Sequence, residues 1–249
     1  MTRSGWIRLA VIGGAVALLE ASCRLGLVRH AVIPPSEMAR GAFRALGAED
    51  VRGDVLATLL TVAQSFVLAI VAGFALGVLL HRLPRLRRAL DPFLASYYAV
   101  PTFVFYPVFI VLFGLNRWPL VTIGFIFAVV AVAINTLDGL SRVPRAFLRT
   151  AQVMRLSGRQ TLLRVILPAA APWLFTGAKF AVAYSFIGVI AGEFVQAGSG
   201  IGHAIAFAYN SFDNPTMYGL MILLFGTVGT INMILWTWEQ RLYARRGGR

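Results

Sequence analysis

Long apolar runs, separated by short arginine-rich stretches, set the pattern of this chain. A spanning helix needs about 20 mostly apolar residues, and six stretches meet that need: about 6–23, 56–80, 92–115, 120–137, 172–193 and 218–238. The first carries Arg8 and Glu20 near its ends and reads as a retained helix. A cleaved leader would use Ala21, Ser22 and Cys23, but Glu20 is a poor residue three places before the cysteine. In the second, Gly73 and Gly77 have the four-residue spacing that lets helix backbones approach. The third opens on Tyr97, Tyr98, Pro101, Phe103, Phe105, Tyr106 and Pro107, and two internal prolines predict a kink. It reads either as an ordinary aromatic packing face or as the lining of a pathway. Tyr98, Pro101 and Phe105, with Ser185 and Glu193 of the fifth span, are the candidate pathway or gate residues.

The remaining segments are polar. Arg24 to Asp54 links the first two spans, and Gly198 to Gly202 reads as a re-entrant or external cap. A nucleotide loop there is not expected, because no strand precedes the glycines and no acidic partner follows at dinucleotide spacing. The stretch 138–168 predicts two short helices, about Pro144–Met154 and Ser157–Leu167, with Ser157 as N-cap and Pro168 as terminator. Leu162, Val165 and Ile166 share one face of the second. Lys179, inside the fifth span, reads as snorkelling to headgroups. Glu193 lies 14 residues further on, about 21 Å along a helix, so the two cannot pair within it. Asn135 and Ser185 read as partners in interhelical hydrogen bonds.

Composition agrees with this layout. The 249 residues are 58% hydrophobic and 13% charged, against about 25% charged in a soluble domain; the mean hydropathy is +0.75. The fold class is therefore all-α and polytopic, a single membrane domain over 1–249. The net charge of +13 is topology rather than a nucleic-acid footprint, since arginines collect on cytoplasmic loops. With the N-terminus inside, sixteen arginines fall on the inner side and six outside, which places both termini in the cytoplasm beside anionic lipid. The sole lysine is followed by Phe180, so the chain has no Walker A loop and no ATP site of its own. One cysteine, Cys23, and three scattered histidines, His30, His81 and His203, offer no metal site. No catalytic cluster is apparent, so an enzyme is not expected. Pro101 and Pro107 have no counterpart in the sixth span, unlike the matched broken helices of many secondary transporters.

The order of several pieces gives a resemblance. They are Ile33 to Glu37 (IPPSE), Leu90 to Phe93 (LDPF), Val143-Pro144, Gln160 to Pro168 (QTLLRVILP), Gly177, Gly192-Glu193-Phe194 and Gly198 to Gly202 (GSGIG). Together they resemble the permease subunits of ABC importers, of the nitrate, sulfonate and taurine type, over about 33–238. Such permeases carry a loop of the form E-A-A, three residues, G, nine residues, I-x-L-P. Counting back from Pro168, the glutamate position is Arg149, the alanines are Thr150 and Ala151, the glycine is Arg155 and the isoleucine is Val165. Gly158, three residues on, could permit a shifted turn.

The resemblance implies alternating access by two permease copies, in a homodimer, in the bacterial cytoplasmic (inner) membrane. Two separate ATPase subunits would carry ATP and Mg, with no cofactor in this chain, and an extracytoplasmic binding protein would deliver a small anion. Relatives that import pyrimidines or riboflavin-like compounds give the alternative cargo; a channel or secondary transporter working without an ATPase is the alternative of another class. The docking loop implied is Arg149, Thr150, Ala151, Met154, Arg155, Leu156, Ser157, Gly158, Arg159, Gln160, Leu163 and Pro168. A structural or gating role is implied for Glu193.

Overall fold

The computed structural model describes residues 3–27, 32–196 and 198–244, and every regular element among them is helical. Arg29, His30, Arg245, Arg246 and Arg249 lie outside the described residues. Helix α1 (Arg3–Arg24) covers the first expected span. The polar linker after it folds as α2 (Pro35–Gly47), with Pro35 at the helix start, where its missing N–H is not needed. Helix α3 (Glu49–Arg82) starts about two turns before the expected second span. Helices α4 (Pro84–Ser96) and α5 (Tyr106–Phe113) share the third, and α6 (Trp118–Ser141) forms the fourth. Then come α7 (Arg145–Val153), α8 (Gly158–Thr161), α9 (Leu167–Gln196), α10 (Ile201–Asn210) and α11 (Asn214–Ala244).

By length and apolar composition, four described helical stretches can cross a membrane: Glu49–Arg82, Trp118–Ser141, Gly158–Val195 and Asn214–Gln240. Pro84–Ala99 with Thr102–Phe113 makes a fifth if counted as one span, and α1 is outside this set of four or five. Six were expected.

The expected third span is broken rather than kinked, with an 87° bend between Pro84–Ala99 and Thr102–Phe113, the geometry of a broken span or of a re-entrant loop. Pro101 cannot donate a backbone hydrogen bond, so the chain leaves the α-helix in tight turns at Tyr97–Ala99 and Thr102–Phe105. Val100 N–H donates to the Tyr97 carbonyl at 3.3 Å and Val104 N–H to that of Pro101 at 3.0 Å. Pro107 falls in the first turn of α5, so it starts a helix instead of bending one.

The chain forms two compact units, Met1–Ala57 with Glu193–Ile231, and Thr58–Gly192 with Asn232–Arg249. In the second unit α3, α6 and α9 pack through small residues. A Cβ on Gly73 would lie 2.7 Å from the Val129 carbonyl oxygen, and one on Gly77 2.7 Å from that of Ala133. The paired glycines thus set the α3–α6 approach, as their spacing predicted. Gly188 meets Gly124 the same way, at 2.8 Å from its Cα. Ala69, Ala128, Val132 and Ala181 form the core at this crossing.

In the first unit α2 lies on the start of α11, where a Cβ on Gly219 would be 2.7 Å from Ala42 N. Its core is Ala45, Ile201, Ile205 and Leu220. Glu20 ties α1 to α2 by accepting from Ser36 N–H at 3.0 Å and Ser36 Oγ at 2.8 Å.

Candidate functional site

The stretch after α6 folds as a hairpin whose two turns are each closed by hydrogen bonds. Helix α7 ends at Val153. Beyond it Arg155 N–H donates to the Gln152 carbonyl at 2.9 Å and Leu156 N–H to that of Ala151 at 3.0 Å. This paired pattern is a Schellman ending, which needs a left-handed residue in its middle. Arg155 is that residue, with φ 51. The turn is therefore not shifted to Gly158, which sits in ordinary helix. The position where the resemblance calls for glycine is the position whose backbone favours it, and here an arginine occupies it.

Ser157 opens the next helix as expected. Its Oγ accepts from Gln160 N–H at 3.3 Å, and the Gln160 side chain accepts from Ser157 N–H at 2.9 Å, a reciprocal capping box. Pro168 does not end this helix. A π turn over Leu162–Ile166 widens the spiral, with Leu167 N–H donating back to the Leu162 carbonyl. That extra residue per turn accommodates the proline ring, which would otherwise clash with the carbonyl four residues back. The expected second loop helix and fifth span are thus one continuous helical path from Gly158 to Val195. At the hairpin's base the Arg142 guanidinium lies over the Trp173 ring, 4.3 Å from its centroid.

Ala151 is buried, at 2% exposure, while Phe147, Val153, Met154 and Leu163 are exposed apolar side chains. Arg149, Arg155, Arg159, Gln160 and Arg164 are exposed around them. A cavity of about 590 Å³ lies within the hairpin, lined by Phe147, Thr150, Met154, Leu156, Arg164 and Pro168 among others. Exposed apolar side chains rimmed by cations are the chemistry of a docking surface.

The candidate pathway residues separate. Tyr98 is exposed and stacks on Tyr184, with ring centroids 5.0 Å apart, and Phe180 continues the series at 6.0 Å from Tyr184. Tyr97 meets Tyr98 edge-on at 5.4 Å, and its hydroxyl donates to the Ile126 carbonyl at 2.8 Å. An aromatic ladder therefore runs from the broken third span onto α9. Pro101 and Phe105 are exposed at and after the break. Ser185 is fully buried instead, and its Oγ has no hydrogen-bond partner among the described residues. Asn135 donates to Ala131 in its own helix at 2.8 Å. Neither makes the interhelical hydrogen bond expected, because Gly188–Gly124 and Gly177–Asn135 packing brings those helices together without one.

Glu193 is 2% exposed and accepts the Gly202 N–H at 3.0 Å, at the start of α10. Asp54 accepts the Gly200 N–H at 2.7 Å. Two carboxylates thus hold the glycine run at a helix N-terminus, where negative charge is favoured. The run is an anchored start for α10. Asp54 gave no signal in the sequence beyond being acidic near a span. Lys179 does not simply snorkel, since its Nζ donates to Glu239 Oε2 at 2.9 Å. The residues lie 60 apart, so no local spacing could have joined them. Phe180 and Tyr184 were missed for a related reason, because aromatic residues in an apolar span carry no periodic mark.

Comparisons with known proteins bear on the hairpin and spans together. The profile of the family described as "Binding-protein-dependent transport system inner membrane component" matches residues 66–246. The nitrate import permease protein NrtB of Leptolyngbya laminosa is 34% identical over 177 residues, covering 71% of this chain and 63% of that protein. The bicarbonate transport system permease protein CmpB of Synechococcus elongatus is 32% identical over 191 residues, covering 76% and 68%. This chain thus spans about two thirds of the relatives' length, slightly less in the case of NrtB. A solved inward-facing MetNI methionine ABC transporter shares the fold, with a TM-score of 0.66 at 19% identity over 77% of this chain and 95% of that one. With the profile covering most of its length, the chain belongs to the family of inner-membrane components of binding-protein-dependent transport systems.

Proposed function

We propose that this chain is the membrane-spanning permease of an ATP-driven importer for a small oxyanion of the nitrate or bicarbonate kind. The relatives supporting that cargo are the nitrate permease NrtB and the bicarbonate permease CmpB. Two copies form the pathway, two separate ATPase subunits bind ATP and Mg, and an extracytoplasmic protein hands over the anion. The chain itself holds no cofactor. With α1 as the first of six spans, both termini face the cytoplasm alongside the arginine-rich loops. The whole chain acts as one permease domain.

The observation that carries this reading is the hairpin's continuity with α9. Its tip is fixed by the Arg155 turn and the Ser157 capping box, and it passes through the π turn into a helix of spanning length. Displacing the tip therefore moves a spanning helix rather than flexing a loop. Closure of an ATPase pair would supply that displacement, and the two-state element is the helical path itself.

The test is gentle extraction of the tagged chain and identification of what copurifies. An ATPase in equal amount is expected. Its recovery should fall about tenfold or more when Met154 and Arg149 at the tip are both replaced by glutamate, a loss of roughly 1.4 kcal/mol in docking. A stable assembly without an ATPase, under conditions that preserve a known importer, rules this function out. Should the companion binding protein retain a pyrimidine and ignore nitrate and bicarbonate, the cargo assignment fails while the importer stands.

A further inference from the structure

We propose that Lys179 is a transit site for a small oxyanion and that Glu239 is its resident stand-in, vacating the ammonium when cargo arrives. This rests on the importer reading and names the residue that would receive the anion. Lys179 is the chain's sole lysine. It pairs with Glu239, the penultimate residue of the Asn214–Gln240 stretch, so the ion pair sits toward one end of the two helices, where a passing anion would meet it at the mouth of the membrane. A charged side chain on a spanning helix is a candidate for function.

The pair is unevenly sealed. The Lys179 side chain is 35% exposed and that of Glu239 12%. An ammonium has three N–H donors, and the contact with Glu239 Oε2 at 2.9 Å engages one of them. The more accessible member is thus the cation, with donor capacity to spare.

A carboxylate and a nitrate-like oxyanion both present planar, negatively charged oxygens to the ammonium, so one can replace the other without leaving the cation bare. The released Glu239 carboxylate then has to turn out to solvent past the end of its helix, since a buried unpaired charge is costly. A tethered competitor also keeps the site weak, and a transit site must release what it binds.

The sole lysine makes a direct test possible. The full chain, labelled with 13Cε-lysine and carrying a lysine-free tag, gives one resonance, from Lys179. It is placed in phosphatidylcholine nanodiscs and titrated with sodium nitrate, chloride being replaced to hold ionic strength. A saturable shift is expected with nitrate and none with neutral uracil. In Glu239→Gln half-saturation should come at about tenfold lower nitrate, once the competitor is gone. An unmoved resonance in both proteins overturns the proposal. So does a shift produced by adding phosphatidylglycerol but not by nitrate, which would make Lys179 a lipid anchor. ATPase copurification tests the importer reading separately. A silent resonance in a chain that retains its ATPase removes this site alone, and a nitrate shift in a chain that retains none keeps the site while refuting the importer.

Discussion

Arg155 and Gly200 stand in comparable places, each with positive φ shortly before a helix, yet one is an arginine and the other a glycine. Arg155 has φ 51, the left-handed region that a non-glycine enters at about 1–2 kcal/mol. Its side chain is exposed. Gly200 has φ 104 and ψ 163, a region essentially restricted to glycine. A Cβ there would also overlap the Glu193 carboxyl group. The contrast separates two reasons for a glycine. Backbone conformation alone is a modest constraint that an exposed arginine can bear. Conformation together with a buried carboxylate against the Cα leaves no alternative.

The largest effect should follow from breaking the strict case. Gly200→Ala meets both the forbidden backbone region and the carboxylate, and should destabilise the chain by about 3 kcal/mol or more. The check is the thermal unfolding midpoint of the purified chain in detergent, with loss of monodisperse protein as the extreme outcome. Adding Glu193→Ala to Gly200→Ala separates the two causes. The double variant should be less damaged than the sum of the singles, because the overlap is relieved while the backbone strain stays. Strict additivity would mean the carboxylate moves aside freely.

Glu193→Gln is milder. The amide oxygen can still accept the Gly202 N–H, but a charge-assisted hydrogen bond becomes a neutral one, with an expected loss of about 1 kcal/mol. The same unfolding series reads it. A loss equal to that of Glu193→Ala would show that charge, rather than the hydrogen bond, holds the start of α10.

These positions also mark what the sequence could and could not disclose. Gly73 and Gly77 were legible because four-residue spacing of small residues has one physical use in a membrane helix, and α6 lies against them. The Ser157 cap was legible because its chemistry is local, with Gln160 three residues on. Pro168 misled for the opposite reason. Proline ends a regular α-helix, but a π turn removes the clash, and nothing in residues Leu162 to Ile166 announces one. The third span shows the same limit. Pro101 marked the distortion while Pro107 only begins α5, and the size of the bend depends on the tight turns either side of Pro101. Asp54 with Gly200, and Lys179 with Glu239, are contacts at long sequence separation, where one chain read alone carries no pairing signal. The roles of Tyr98 and Ser185 differ because exposure is a property of packing: one joined an accessible ladder and the other vanished into the core.

The smaller effects lie in the tolerant turn. Ser157→Ala removes one half of the capping box and should weaken the hairpin by about 1 kcal/mol. Amide exchange at Gln160, whose N–H would lose its acceptor, should quicken accordingly, by about fivefold. Arg155→Gly should move the other way. The backbone already has the left-handed geometry that glycine adopts freely, so relief of strain should firm the turn by about 0.5–1 kcal/mol. Exchange of the Leu156 amide, which donates to Ala151 across this turn, should slow about two- to fivefold. The same variant also asks what the arginine is for. If ATPase recovery is unchanged or improved as the turn firms, Arg155 is a tolerated replacement and docking depends on hairpin shape. If recovery falls while the Leu156 amide becomes better protected, the exposed guanidinium itself contacts the partner, and backbone strain was accepted to place a positive charge at the tip. Those two readouts cannot be confused, because exchange reports the turn and copurification reports the surface.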